Sequence, residues 1–333
     1  MASPSHLGGD GRSACPTNPA TNCYPWFVTV RQSEMHCRKV TRLRARNFYL
    51  GLMLTPQPRR AALYAVYAWM RCADDLADES PGPVTARLRL ADFAAKTRET
   101  LDTASEPEDA EALWPSFAHT VRHYPLQREW LDQALAGLMA DQQGQTIVTT
   151  EDLDRYCYQV AGTVGMICTA IWRSGLAEDD AEGKRALELA QLRGRAFQYT
   201  NILRDIRDDA RLTPARVYLP RQSFAEFGLN PQELLQWSDP AKCGAMVRFW
   251  ADEAARLYDQ TAELEGLIPQ DCRASLLTMT RLYRTLLERI RLEPRGVVAD
   301  ERVRVPLVEK LRILGEQLLQ ARGGQESSPQ LAR

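Results

Sequence analysis

Residues able to hold a divalent cation crowd two short stretches of this chain: Asp74-Asp75-Leu76-Ala77-Asp78 and Asn201-Ile202-Leu203-Arg204-Asp205-Ile206-Arg207-Asp208-Asp209. On a helix, residues four apart stand above one another on one face. Asp74 and Asp78 then make a carboxylate pair, and Asn201, Asp205 and Asp209 a ladder of three. Like charges so placed destabilise an isolated helix by roughly 0.2–0.5 kcal/mol per pair. Their neighbours are Tyr, Trp, Met, Phe, Ile and Leu, not the polar residues of a solvated face. Oxygen-only ligands suit Mg²⁺, which keeps several waters and is usually completed by substrate phosphates. Two such faces can hold a magnesium-diphosphate cluster between them.

Each face has polar companions. Counting back from Asp78 gives Asp74, then Arg71 and Tyr67, a set fit to line a polar mouth above an apolar well. Gln198 extends the second face, while Leu203 and Ile206 point elsewhere. Arg204 and Arg207 can neutralise a diphosphate or pair with Asp208, and Arg216 and Tyr218 in Arg216-Val217-Tyr218-Leu219-Pro220 can close over bound phosphate as a flap. The plain alternatives are a solvated helix end for the first stretch and a surface salt-bridge ladder for the second. Uncharged Gln198 and Asn201 fit a ladder poorly, and two such helices in one chain favour the metal reading.

The elements that must position these groups are helical. Residues 1–33, rich in Pro, Gly, Ser, Thr and Asn, read as a flexible tail with an aromatic island at Tyr24-Pro25-Trp26-Phe27. From residue 34 the pattern is helical, with Pro56 and Pro58 marking the start of a helix that runs from Arg59 to Ala77. Further helices are expected at 84–103, 114–123, 126–144, 151–174, 181–210, 231–237, 241–264, 270–292 and 307–321, and 323–333 as a polar tail. No alternating run of β-branched residues is long enough for a sheet. The expected fold is one all-α domain over 34–322 around a central apolar cavity.

Composition narrows the function further. With 42 basic and 43 acidic side chains the chain has no global nucleic-acid footprint. Its eight cysteines form no CxxC pair, and no His stands at zinc-finger spacing, so they read as reduced thiols of a cytoplasmic protein. No secretory signal and no run of about 18–20 apolar residues is apparent. The small-residue run Val160-Ala161-Gly162-Thr163-Val164-Gly165 has no strand before it, so it reads as close helix packing, with Gly162 at a kink, and not as a nucleotide loop.

Taken in order, Asn47-Phe48-Tyr49, the motif 74–78, Tyr156-Cys157-Tyr158-Gln159-Val160-Ala161-Gly162-Thr163-Val164-Gly165, and the motif 201–209 followed by 216–220 resemble the squalene and phytoene synthase family. The similarity to these head-to-head prenyl-diphosphate condensing enzymes runs over about residues 47–304. It implies an isoprenoid-synthase-type helical bundle with two acidic motifs facing across a deep apolar pocket. It implies that Asp74, Asp78, Asp205 and Asp209 bind Mg²⁺ and diphosphate, with Asn201 beside them and Tyr67 on the catalytic face. Arg71, Gln198 and Arg204 would contact diphosphate or orient those carboxylates, and Tyr283 and Arg302 would supply later diphosphate contacts. Two positions depart from the family pattern. Asn47 stands where Ser is usual, and an amide still donates to phosphate. Gln159 replaces an aromatic or basic side chain that in relatives steers the intermediate or the departing phosphate.

The implied reaction joins two allylic diphosphates, farnesyl or geranylgeranyl, through a cyclopropylcarbinyl diphosphate, with three Mg²⁺ bridged by substrate and NADPH only where squalene is the product. The cation needs a dry cavity, for which Phe48, Tyr67, Met166, Ile167 and Leu203 are candidate linings. A greasy product argues for peripheral membrane contact, although the last helix is too charged to anchor by itself. The competing readings are a head-to-tail prenyltransferase or terpene cyclase, and a non-catalytic helical interaction protein. The first usually carries two DDxxD-like motifs, whereas the second motif here is Asn-x-x-x-Asp-x-x-x-Asp; the last would have lost acids or Arg216 and Tyr218, and neither is lost.

Overall fold

The computed structural model describes residues 28–45, 47–103, 111–144, 146–176, 180–212 and 215–326, with side chains as far as residue 320. The aromatic island 24–27, Cys15 and Cys23 therefore lie outside the described residues, as does most of the expected C-terminal tail. Among the described residues every regular element is a helix, in accord with the all-α expectation. They are α1 (Val30–Arg44), α2 (Asn47–Leu52), α3 (Arg59–Asp78), α4 (Pro83–Asp102), α5 (Trp114–His123), α6 (Arg128–Gln142), α7 (Thr150–Cys157) and α8 (Thr163–Arg173). After them come α9 (Ala181–Ala210), α10 (Arg221–Glu226), α11 (Pro231–Gln236), α12 (Pro240–Gln260), α13 (Leu264–Leu267), α14 (Gln270–Leu292) and α15 (Leu307–Glu326).

Local chemistry explains where these helices begin and end. Helix α1 starts at Val30, earlier than its apolar pattern suggests, because Thr29 and Gln32 form a capping box. Asp180 caps α9 through the Gly183 amide at 2.6 Å, and Thr149 and Asn230 cap α7 and α11 in further such boxes. The expected helix 151–174 is interrupted: Tyr158–Gly162 is a π turn, its Thr163 amide bonded back to the Tyr158 carbonyl. Such bulges re-aim the residues within them. Helix α15 continues to Glu326, past the expected end at 321.

Helices α2, α3, α8, α9 and α14 surround the centre of the molecule, with α1, α4 and α5 packed behind α3 and α12 behind α9. Behind α3, Trp69 stacks on Phe117 at 5.4 Å and donates its indole N–H to Thr97 at 3.0 Å, so a buried aromatic cluster fixes that helix from the rear. Helices α8 and α9 touch backbone to backbone. A Cβ at Gly165 would stand 2.3 Å from the Ala190 carbonyl, and one at Gly194 2.2 Å from the Ala161 carbonyl. The small-residue run is therefore a packing device, with Gly165 its tight position and Gly194 the matching one on α9. Buried Arg193 ties α9 to the floor, donating to Thr261 at 2.8 Å and to Thr280 at 2.5 Å, and pairing with Glu265 at 3.5 Å. No described helix is long and apolar enough to cross a membrane.

Candidate active site

The clamped helices enclose a cavity of about 280 Å³. Its wall is apolar below and polar at one end. Phe48 and Leu52 from α2, Val66 and Met70 from α3, Val160 and Ala161 from the π turn, Trp172 from α8, and Leu276 and Met279 from α14 form the well. Tyr67, Arg71, Asp74, Gln198 and Asn201 line it as well, so the first acidic motif reaches the chamber through Asp74 and the second through Asn201, whereas Asp78, Asp205 and Asp209 are not among its lining residues. Of the expected linings, Phe48 and Tyr67 are on the wall, whereas Met166, Ile167 and Leu203 are buried in the core away from it. The phase of α8 turns Val164, Gly165, Cys168 and Thr169 inward instead.

Below the mouth, Phe48 lies edge-on to Tyr283 at 5.5 Å and to Phe197 at 6.0 Å, while Phe197 and Tyr283 are 4.7 Å apart. Of these three rings Phe48 and Phe197 line the well, while Tyr283 packs against both without being among its lining residues. Burial holds the Tyr67 phenol up at about 12, so it is a neutral donor. Burial also pushes the Cys168 thiol up to about 12, leaving no thiolate in the well.

The α3 wall is open. Asp74 is accessible from the mouth while protein encloses its other sides, and that burial raises its pKa to about 6, against the pull of Arg71 and with Asp78, Asp75 and Asp141 adding to the rise. Arg71 bridges Asp74 at 3.5 Å and Asp75, and Arg44 draws Asp75 outward at 2.7 Å. Asp78 meets Arg216 at 3.2 Å.

The α9 wall is caged. Asp205 takes two bonds from Arg204, at 2.6 and 2.5 Å, and a third contact from Arg302 at 2.8 Å. Arg302 also reaches Asp208 at 3.0 Å. Arg204 is thus committed to Asp205 and lies beside Tyr283, and Arg207 turns away to Asp300 and the Val298 carbonyl; neither takes the pairing with Asp208 that the sequence allowed. Asp209 is driven up to about 7 by burial and by Asp205, with Asp141 adding to the rise. Its backbone carbonyl accepts the Arg216 amide at 3.0 Å, which seats segment 216–220 against this wall.

Gln198 accepts from the Asn201 amide at 3.3 Å, leaving the Asn201 carbonyl oxygen buried without a partner. Asn47, at the start of α2, likewise has a buried side-chain oxygen without a partner. Gln159 is different. It donates to Gln133 on α6 at 2.9 Å and is not among the residues lining the cavity, where its neighbours Val160 and Ala161 stand.

Sequence reading missed Asp141 and Tyr156. Asp141, at the end of α6, is held up to about 6 by burial, and Tyr156 donates to it at 3.1 Å. Tyr156 in turn stacks on Tyr218 at 4.7 Å. Asp141 has no acid at i+4 or i−4, so spacing along one helix does not reveal it.

The donor set suits Mg²⁺. It is made of carboxylate and amide oxygens, the Asp74 and Asp209 carboxyls are held above their ordinary pKa by burial and then by neighbouring carboxylates, and the Asn201 oxygen is buried without a partner. Among the described residues no three His, Cys, Asp or Glu side chains converge on one point closely enough to chelate an ion unaided. Ions between these walls would need oxygens from another source, and a diphosphate has them.

A sequence profile described as squalene/phytoene synthase matches residues 41–309. The 15-cis-phytoene synthase of Synechococcus elongatus is 32% identical over 307 residues, covering 89% of this chain and 95% of its own. The phytoene synthase of Mycobacterium tuberculosis is 31% identical over 290 residues, covering 86% and 91% respectively. Among solved structures, a dehydrosqualene synthase in complex with ligand superposes with a TM-score of 0.76 at 25% identity, covering 88% of this chain and 98% of that one. A squalene synthase of Alicyclobacillus acidocaldarius gives 0.68 at 26% identity, covering 79% and 95%.

Proposed function

Because the chain belongs to the squalene/phytoene synthase family, we propose that it joins two geranylgeranyl diphosphates head to head, with Mg²⁺ as cofactor, to a 40-carbon product of the phytoene type. The observation that carries this reading is the apolar chamber whose polar side chains include Asp74 from one acidic helix and Gln198 and Asn201 from the other. The choice of a 20-carbon chain rests on the phytoene synthases among its relatives. A second reading, farnesyl diphosphate to a 30-carbon product, is favoured by the structural likeness to a dehydrosqualene synthase and a squalene synthase.

Asp74, Asp78, Asn201, Asp205 and Asp209 would hold the ions, and bound Mg²⁺ supplies Lewis-acid stabilisation of the departing pyrophosphate. Arg71, Arg216 and Arg302, with Tyr67 as a neutral donor, would place positive charge and hydrogen bonds around the same leaving group. Its loss leaves an allylic cation in the well, where the rings of Phe48 and Phe197 can stabilise it through cation–π contact. The double bond of the second substrate attacks that cation, and loss of one proton closes the cyclopropane. The well offers the cation no thiolate to trap it, because burial keeps Cys168 a neutral thiol. Loss of the second pyrophosphate with rearrangement then gives the linear hydrocarbon, ended by loss of a proton or, for squalene, by hydride from NADPH.

The test is incubation of purified protein with Mg²⁺ and each diphosphate separately, with and without NADPH, and mass spectrometry of the extract. A C40 product supports the first choice and a C30 product the second. Only C15 or C20 cyclised hydrocarbons, or a longer head-to-tail diphosphate once isopentenyl diphosphate is added, would refute head-to-head condensation.

A further inference from the structure

Asp141 belongs to neither acidic helix, yet its charge reaches both: it acts on Asp74 of α3 and on Asp209 of α9, and Asp78 acts on it. Its immediate contacts are with Tyr156 of α7 and with the segment between α9 and α10. The Tyr156 hydroxyl donates to it at 3.1 Å, the Tyr218 phenol faces it, and Arg216 is the cation that most favours its charged form. Tyr156 and Tyr218 lie nearly parallel, 16° apart. Segment 215–218 has no regular secondary structure. It is held at one end by the Arg216 amide on the Asp209 carbonyl and beyond its other end by Arg221 and Gln222 amides on Ile147 and Val148 carbonyls, at 3.1 and 3.0 Å. Between those ends, the described polar contacts to other elements run from Arg216 to Asp78 and Asp141 and from Tyr218 to Asp141 and Tyr156. A small cavity of about 20 Å³ lies against it, bounded by Ile202, Ile206 and Leu234, so packing there is incomplete.

We propose that Asp141 is a positioning residue: through the Tyr156–Tyr218 pair and the charge of Arg216 it latches segment 216–220 and keeps the Arg216 guanidinium beside Asp78, over the gap between the acidic walls. Its part in catalysis rests on the diphosphate reading above; the latch rests on the contacts alone. Without the carboxylate, a buried phenol and a guanidinium lose a partner where water cannot fully replace it. The segment then has few contacts left to hold it, and low-stability segments open first.

The latch is tested on the metal-free and substrate-free protein, so its failure is distinct from a failure of the condensation reading. Asp141→Asn and Tyr156→Phe are compared with the parent by limited trypsin digestion, scoring cleavage after Arg216 by mass spectrometry. Arg216 is 17% exposed and should be protected in the parent. Both variants should be cut there at least about fivefold faster, since cleavage follows the population of the open segment, while the melting midpoint of the fold holds. Tyr156→Phe keeps the ring stack and serves should Asp141→Asn fold poorly. The second readout is a double-mutant cycle on turnover: in an Arg216→Gln background, Asp141→Asn should cost less than about twofold, because its effect passes through Arg216. Unchanged cleavage after Arg216, fully additive losses, or loss of one bound Mn²⁺ per chain in a pyrophosphate titration of Asp141→Asn would each overturn the proposal, the last by making Asp141 a direct ligand.

Discussion

The two acidic helices face one chamber but are built differently. On α3 the carboxylates are open: the Asp74 and Asp78 side chains are 44% and 48% exposed, each with one guanidinium at 3.2 Å or more. On α9 the central carboxylate is closed: Asp205 is 14% exposed and held by two guanidinium groups within 2.8 Å. An open carboxylate keeps lone pairs for an incoming ion, whereas a caged one has its geometry set in advance. The α9 wall therefore reads as the preorganised half of the site, and the α3 wall as the half that ligand completes.

The largest expected effect separates the two walls. Asp205→Ala removes a proposed ligand and strands Arg204, whose side chain is 19% exposed, without its main partner. Removing one member of a buried pair costs on the order of 3 kcal/mol, so this variant should lose stability and, through the lost transition-state contacts, about 10³-fold or more in turnover. Asp74→Ala should lose activity on a similar scale, yet hold its melting temperature near neutral pH, because it deletes a carboxyl whose charge the fold already resists. Denaturant unfolding beside product assays checks both. Equal destabilisation by the two variants would erase the distinction between caged and open walls.

Proton linkage gives the next effect. The carboxyls of Asp74, Asp141 and Asp209 titrate in the fold near 6, 6 and 7, above the unfolded value near 3.8. The native state thus binds more protons than the unfolded chain between those values, so their contribution is fully present below the unfolded pKa and lost as pH rises through 6 and 7. Metal-free protein should melt at lower temperature at pH 8 than at pH 5.5, and Asp209→Asn should flatten that slope. Mg²⁺ with pyrophosphate should reverse it. At 100 times the dissociation constant a ligand adds about 2.7 kcal/mol, and binding near pH 6 should release protons, measurable by calorimetry in buffers of different ionisation enthalpy.

The open wall was the more legible in sequence. Tyr67, Arg71 and Asp74 share a face by simple spacing, and all three line the cavity. On α9 the spacing gave the ladder but not the cage, since Arg302 arrives from about a hundred residues further on and pairs through the fold. Asp141 stayed hidden for the same reason: an acid with no acidic partner four residues away acquires meaning only when α6 packs beside Tyr156 and segment 216–220. Helix positions were recovered closely because apolar periodicity and Pro breaks are local, as in α5 and α9. The π turn at Tyr158–Gly162 was foreshadowed only by the kink expected at Gly162, because apolar spacing does not register one extra residue in a helical turn. That same turn explains Gln159. It brings Val160 and Ala161 to the cavity wall, while Gln159 pairs with Gln133.

The contact of α8 with α9 at Gly165 and Gly194 supplies a smaller test of the chamber both walls share. Gly194→Ala forces a Cβ against backbone, which cannot swing aside, and should cost about 1–3 kcal/mol. At Gly162 a Cβ would meet its nearest neighbours, side-chain atoms of Tyr158 and Gln191, at 3.2 and 3.3 Å. Gly162→Ala should therefore be much milder than Gly194→Ala in thermal unfolding. Parity between the two would mean that the walls are not set by this contact.

The smallest expected effect lies on the outer side of α3. Asp75 follows Asp74 in sequence but faces away, taken by Arg44 at 2.7 Å and by Arg71. Arg44 is 46% exposed, and exposed ion pairs contribute about 0–1 kcal/mol. Arg44→Ala should shift the melting temperature little and change turnover by less than about threefold, since Arg71 keeps Asp75 in place. Asp75→Asn should cost more than that but far less than Asp74→Asn, because it loosens Arg71 without removing a proposed ligand. Turnover of the three variants, measured side by side, orders the face of α3. If Asp75→Asn proved as damaging as Asp74→Asn, both acids would have to serve the ions, and the open wall would carry three carboxylates where its geometry now presents two.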